Sequence, residues 1–211
     1  LAWKACIMGQ ARARQYIKIS NEEEYYLEMS GYVQRAIDLD ENDFECNRML
    51  CFAYLTQHKF NKAEEYGKRA FDLNPNDPRV SSGYGEVLIR VGRCEEGIEL
   101  LKKALELDPV PMGQTNSDKR LSDLLLGYFL FNKPDECLEI GGKLQNVDFR
   151  SWLILLESNK ALKKNDSEFK KLVELCSQFK DRNFNMEIDR FHIQDQAINN
   201  NLINTAKELL G

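Results

Sequence analysis

The sequence predicts an all-α solenoid of stacked helical hairpins, and three observations carry that prediction. The first is a phrase written three times: AIDLDEND at 36–43, AFDLNPND at 70–77 and ALELDPVP at 104–111. Its alanines, Ala36, Ala70 and Ala104, stand 34 residues apart, and so do Pro75 and Pro109 (109 − 75 = 34). The second is a set of small residues at matching places in apolar helical patterns, Cys51 with Gly85 and Ala63 with Gly97. The third is composition: 211 residues, 43% hydrophobic and 30% charged, with no Gly/Ser-rich or Pro-rich linker to separate domains. A hairpin of helices cannot bury its apolar face alone, so repeats of this kind must stack on their neighbours.

A period of 34 is the length of the tetratricopeptide repeat. The predicted fold class is therefore an all-α tetratricopeptide-repeat superhelical solenoid of about five helical hairpins plus a C-terminal capping helix. The whole chain, 1–211, reads as one such solenoid. In 44–77 a first helix carries Leu50, Cys51 and Tyr54, a second carries Phe60, Ala63 and Ala70, and Pro75 closes the unit. In 78–111 the matching slots hold Tyr84, Gly85, Leu88, Cys94, Gly97, Ala104 and Pro109. Small side chains let paired helices approach, and proline ends the second helix because it cannot donate to the preceding turn. Residues 1–43 read as an opening repeat, with a first helix from Trp3 to about Ser20 and a second ending in AIDLDEND.

After 111 the stride breaks. Ala104 to Leu144 is 40 residues, six more than the period, and MGQTNS accounts for the difference. A fourth hairpin follows at 118–150, carried by Leu124, Leu125, Tyr128, Cys137 and Leu144. Gly141-Gly142 within it points to a close helix contact or a helix end. Residues 151–182 read as a degenerate fifth hairpin, with Phe169, Leu172, Val173, Cys176 and Phe179 on one helical face. The segment 183–211 reads as a cap: a polar connection, DRNFNMEIDR, then an amphipathic helix through Ile198, Leu202, Ile203, Ala206 and Leu209.

Several functions are excluded or disfavoured. Net charge is −5, which argues against nucleic-acid binding through a basic surface. No apolar run approaches the ~20 residues of a membrane-spanning helix, so no membrane insertion is expected. Six cysteines contain no CxxC pair and only two histidines, His58 and His192, are present, so no metal site is expected. The cysteines read as buried, reduced thiols, which suits a cytoplasmic protein. No phosphate-binding loop or nucleophile elbow occurs; Gly83-x-Gly85 lacks a third glycine and a preceding strand and reads as helix packing. Neither histidine can be set beside a cysteine, so no catalytic residue and no cofactor are assigned, and the chain is not expected to be an enzyme. The acidic runs at 22–24, 64–65 and 95–96 read as solvated helix faces.

The flanks carry a resemblance to a known family. WKACIMGQARARQYIKISNEEEYYLEMSGYVQRAIDLDEND resembles the opening repeat of the C-terminal tetratricopeptide region of bacterial class III adenylate/guanylate cyclases, with Ser20-Asn21-Glu22 in the place of a Thr/Ser-x-Glu turn. The D-P-x-P run at 108–111, the insertion after it, and FNMEIDRFHIQDQAINNNLINTAKELLG at 184–211 are similar to later parts of the same family. The resemblance implies a non-catalytic, regulatory region of a larger bacterial signalling protein whose cyclase domain lies elsewhere. The chain begins at Leu1, which suits a fragment or a processed product. Alternatives are the arm of a transcriptional regulator, a free-standing adaptor or, in another class, a small-ligand sensor or enzyme.

The candidate binding surface is the concave face lined by the first helix of each hairpin. The residues assigned to it are Arg48, Phe52, Leu55, Arg79, Glu86, Ile89, Arg90, Phe129 and Leu130. They form an apolar stripe interrupted by arginines, which suits a protein or peptide partner with apolar anchors and some acidic groups, or another copy of the chain. The competing reading is that the stripe belongs partly to the core or is covered by the chain's own C-terminal helix. A chaperone-type carboxylate clamp is not expected, because its asparagine and arginine slots hold Phe52 and Gly83.

Overall fold

The computed structural model describes residues 22–111, 117–163, 167–180 and 182–210. Among them, eleven α-helices and one 3-10 turn make up all the regular structure. They are α1 (Glu22–Ile37), α2 (Phe44–Thr56), α3 (Phe60–Leu73), α4 (Pro78–Arg90), α5 (Cys94–Leu107), α6 (Asp118–Leu130), α7 (Pro134–Gly141), α8 (Phe149–Ala161), α9 (Ser167–Glu174), α10 (Phe184–Asp189) and α11 (Gln196–Leu210), with the 3-10 turn at Leu175–Gln178. The helix predicted from Trp3 to Ser20 and most of the MGQTNS insertion lie outside the described residues.

The hairpins share a backbone signature. Two residues after each first helix ends stands a residue with positive φ: His58 at 56°, Gly92 at 90°, Asn132 at 55° and Lys163 at 53°. In the first three, the next residue's N–H reaches back five positions: Lys59 to the Tyr54 carbonyl at 2.9 Å, Arg93 to Leu88 at 2.8 Å, Lys133 to Tyr128 at 2.9 Å. This is the six-to-one closure that satisfies the last carbonyls of a helix and turns the chain back. The starts of α2 and α8 are fixed by side chains. The Asp43 carboxylate accepts from the Cys46 N–H at 2.9 Å, and that of Asp148 accepts from Ser151 at 2.8 Å. Second helices stop where proline requires: α3 ends at Leu73, two residues before Pro75, and α5 at Leu107, two before Pro109.

Contacts divide the chain into two compact units, Leu1–Val87 and Leu88–Gly211. The first has a core of Met29, Val33, Ile37, Cys46, Met49, Leu50 and Ala53. Its tightest approach is at Gly67 of α3, where an added Cβ would stand 2.9 Å from Tyr84 Cδ2 and 3.0 Å from Cys51 Sγ. The slots expected to be small, Cys51, Ala63 and Ala70, are buried here as predicted.

In the second unit, Leu121, Leu124, Leu125, Trp152, Leu153 and Ile154 pack with Ile188, Phe191, Ile193, Leu202 and Ala206 of the C-terminal segment. Each large side chain buried this way contributes roughly 1.5–3 kcal/mol. Trp152 is fully buried, and its indole N–H donates to the Leu172 carbonyl at 2.7 Å. A Cβ on Gly127 would stand 2.8 Å from Ile89 Cδ1, and one on Gly141 would collide with Leu155. Gly141 thus marks both a close contact and the end of α7, so Leu144, expected within the helix, lies beyond it, half-buried against the core. The polar connection read at 181–190 contains the six-residue helix α10, started by Asn183, whose side chain accepts from the Met186 N–H.

Candidate functional site

The residues assigned to a concave surface separate by burial, unit by unit. In the second unit, Ile89 is completely buried and Arg90 is only 3% exposed. Phe129 and Leu130 are half-buried and packed against the core. Ile89 and Arg90 are thus interior, and at Arg90 the chain's own C-terminal segment makes direct contact. The Arg90 Nε–H donates to the Phe191 carbonyl at 2.8 Å, and the Gln194 N–H donates to the Arg90 carbonyl at 3.0 Å. Neighbouring inner-face residues Leu126, Leu153 and Ile154 are fully buried in the same cluster as Phe191 and Ile193. Arg90 is therefore a structural anchor rather than a partner-binding cation.

The second unit also holds a carboxylate that the sequence reading passed over. Asp123 of α6 is 1% exposed. Its Oδ1 accepts from Arg150 at 2.9 Å and stands 3.6 Å from the Arg90 guanidinium, while its Oδ2 accepts from Lys119 at 2.9 Å. Arg150 also donates to Ser122 Oγ at 2.8 Å, and Ser122 and Ser151 hydroxyls lie 2.9 Å apart. Burial alone would raise the Asp123 pKa; the positive charges of Lys119, Arg150 and Arg90 outweigh it and hold the carboxyl far below the usual range. The clue in the sequence was a single aspartate inside LSDLLLGYFL: a charge at an apolar position must find partners.

In the first unit, Leu55 is 2% exposed and belongs to the interior. The other four assigned residues do reach the surface. Phe52 is 36% exposed, the side chains of Arg79 and Arg48 are 43% and 24% exposed, and Glu86 is half-buried. A Cβ at Gly83 would lie 3.9 Å from Arg48 Cγ, an ordinary contact, so the packing does not require glycine there. The two arginines are already engaged. Arg48 meets Glu45 at 2.6 Å, and Arg79 meets Asp77 at 2.6 Å and Glu45 at 3.6 Å. Although burial pushes the Asp77 carboxyl up, its hydrogen bonds from Arg79 and the nearby Arg48 charge bring it below the ordinary range. Beneath them, burial and then the Glu86 charge push the Cys51 thiol up to about 12, with Arg48 opposing. With Glu45 and Asp77 present, the expectation of a partner chosen for its acidic groups loses its basis: such a ligand would have to displace existing pairs.

Among the described residues no cluster of His, Cys, Asp or Glu could hold a metal ion, and no helix is long and apolar enough to cross a membrane. Cys46, Cys51, Cys94 and Cys137 are buried and form no disulfide.

Comparison with known proteins agrees with the fold. Residues 54–114 match the tetratricopeptide repeat family. The structure of PilF from Pseudomonas aeruginosa is 16% identical, with 97% of this chain and 86% of that one covered and a TM-score of 0.64. A crystal structure of MamA is 18% identical, covering 75% of this chain and 95% of that one, with a TM-score of 0.58. MamA of MSR-1 is 19% identical over 81% and 92%, with a TM-score of 0.61. No curated protein sequence matches the chain. The fold class is all-α, of the tetratricopeptide-repeat type. None of these proteins is named as a nucleotide cyclase, so the resemblance of the flanks to cyclase tails gains no support from them.

Proposed function

We propose that the chain is a non-catalytic scaffold for protein–protein interaction, and that its partner docks on the face of the first unit formed by α2 and the start of α4. The observation that carries this is the division by burial: Phe52, Arg48, Arg79 and Glu86 reach the surface, whereas Ile89 and Arg90 of the second unit are buried, Arg90 in contact with the chain's own C-terminal segment. Phe52 supplies an apolar anchor, and the paired charges around it orient a partner without demanding a strong charge of either sign. A photoreactive phenylalanine analogue at position 52 should crosslink a partner chain, while the same group at Lys68 on α3 should not. Phe52→Glu should then abolish capture of that partner. Equal crosslinking at both positions, or capture unaffected by Phe52→Glu, removes the proposal. Light scattering separates a foreign partner from a second copy of this chain.

The finer reading places this scaffold in the cytoplasm, with no role in nucleic-acid binding, as the regulatory arm of a larger bacterial signalling protein. Its support is the resemblance of 1–43 and 184–211 to cyclase tails, together with the buried free thiols. Reading the gene upstream of Leu1 decides it. A cyclase domain there keeps the reading, and a DNA-binding domain or a bare start codon replaces it with a transcription-factor arm or an adaptor.

A further inference from the structure

We propose that the groove between α5 and α7 is a second docking site, for a protein segment that carries one large apolar side chain flanked by lysine or arginine. The groove, of about 340 Å³, belongs to the second unit, and Asp123 is not among the residues that line it. Leu105 of α5, Leu121, Leu124 and Tyr128 of α6, and Ile140 of α7 give it an apolar lining. Its two flanking helices are unequal: α5 runs for 14 residues, whereas α7 stops at Gly141 after 8.

The charges at its mouth define the occupant. Lys102 is engaged by Glu99 at 2.8 Å and lies over the Tyr128 ring, 5.9 Å from its centroid. Lys143 is engaged by Glu139 at 2.6 Å. Each lysine therefore has its charge balanced by a nearby glutamate. Glu106 and Glu136 line the same groove, one from each wall, and have no ion-pair partner among the described residues. The site thus presents an apolar floor between two uncompensated carboxylates, and the complementary segment is apolar at its centre and basic on both sides. This surface is distinct from the face around Phe52, so either proposal can fail without the other.

The test uses the full chain and a display library of short random peptides. The expected result is enrichment of sequences in which a leucine, phenylalanine or methionine is flanked by arginine or lysine. Synthetic versions should bind Glu106→Lys or Glu136→Lys at least about threefold more weakly, and the double variant about tenfold more weakly or worse. Binding should also weaken between ~0.05 and ~0.5 M salt. Arg48→Glu with Arg79→Glu should leave these peptides unaffected. Glu106 is exposed and Glu136 half-buried, so the variants are checked for unchanged circular dichroism and melting. A library that yields no basic–apolar sequences, or selected peptides indifferent to both reversals, overturns the proposal.

Discussion

Replacing Asp123 by asparagine should weaken the second unit more than any other isosteric change in the chain. The carboxylate lies 2.9 Å from Arg150, 2.9 Å from Lys119 and 3.6 Å from Arg90. At an effective dielectric near 20, one such pair at ~3 Å is worth roughly 5 kcal/mol before desolvation. The Lys119 side chain is 53% exposed, so solvent screens most of its share. Arg90 is 3% exposed and Arg150 17%, and without the carboxylate they would face each other with no anion at Asp123 between them. Removing one partner of a buried pair costs about 3–5 kcal/mol. Asparagine keeps the shape and part of the hydrogen bonding, so the lower end, about 3 kcal/mol, is expected. In a chain of this length that lowers Tm by about 10 °C.

The assay follows Trp152 fluorescence on heating in a Trp3→Phe background, because Trp152 is buried in the affected unit. It has a pH arm as well. The folded pKa of Asp123 is depressed, so its contribution is fully present above the unfolded value of ~3.9 and is lost as pH falls towards the folded one. The wild type should therefore lose stability below about pH 4 more steeply than Asp123→Asn. A Tm within about 2 °C of wild type, or identical acid profiles, would show that the pairs only balance their desolvation cost and would refute this reasoning.

Glycine positions give predictions of opposite sign. Gly67→Ala should destabilise by about 1–2 kcal/mol in urea melts, because contact with Tyr84 and Cys51 exceeds the helix-propensity gain of ~1 kcal/mol. Gly31→Ala, with nothing within 4 Å of the new Cβ, should stabilise by roughly 0.5–1 kcal/mol in the same measurement. Gly92→Ala forces an alanine to φ near 90° and should cost about 1–2 kcal/mol. Cys51 and Cys137, with thiols pushed up to about 12 and about 11 by burial, should resist iodoacetamide at pH 8 in the folded chain and react once urea unfolds it, as peptide mass spectrometry would show.

Much of the architecture was legible because a repeat states it several times. The 34-residue interval, the small residues at 51, 63 and 70 and the prolines at 75 and 109 are local signals, and each has a local consequence that the helices obey. The positive φ values of His58, Asn132 and Lys163 were not legible, because none is glycine; the closure of the preceding helix imposes them. Gly67 was not singled out, because its meaning lies in Tyr84 and Cys51, neither of which is its neighbour in the chain.

The candidate surface shows the limit most clearly. Helical spacing was the ground for assigning Phe52, Ile89 and Arg90 to one surface, yet Phe52 is 36% exposed and Ile89 fully buried. Whether such a face meets solvent depends on what folds over it. Phe191 lies 101 residues after Arg90, and no periodicity in α4 announces that its carbonyl will accept the Arg90 hydrogen bond. The sequence by itself determined that the chain is helical, how its hairpins are spaced and where they turn, because hydrogen bonding and apolar spacing within a hairpin are local. Only the tertiary structure decided which of the assigned side chains are buried and which reach the surface, and that Asp123 is an interior charge held by three cations. Burial and charge pairing there are set by segments far apart in the chain, whose meeting is an outcome of packing rather than of any short motif.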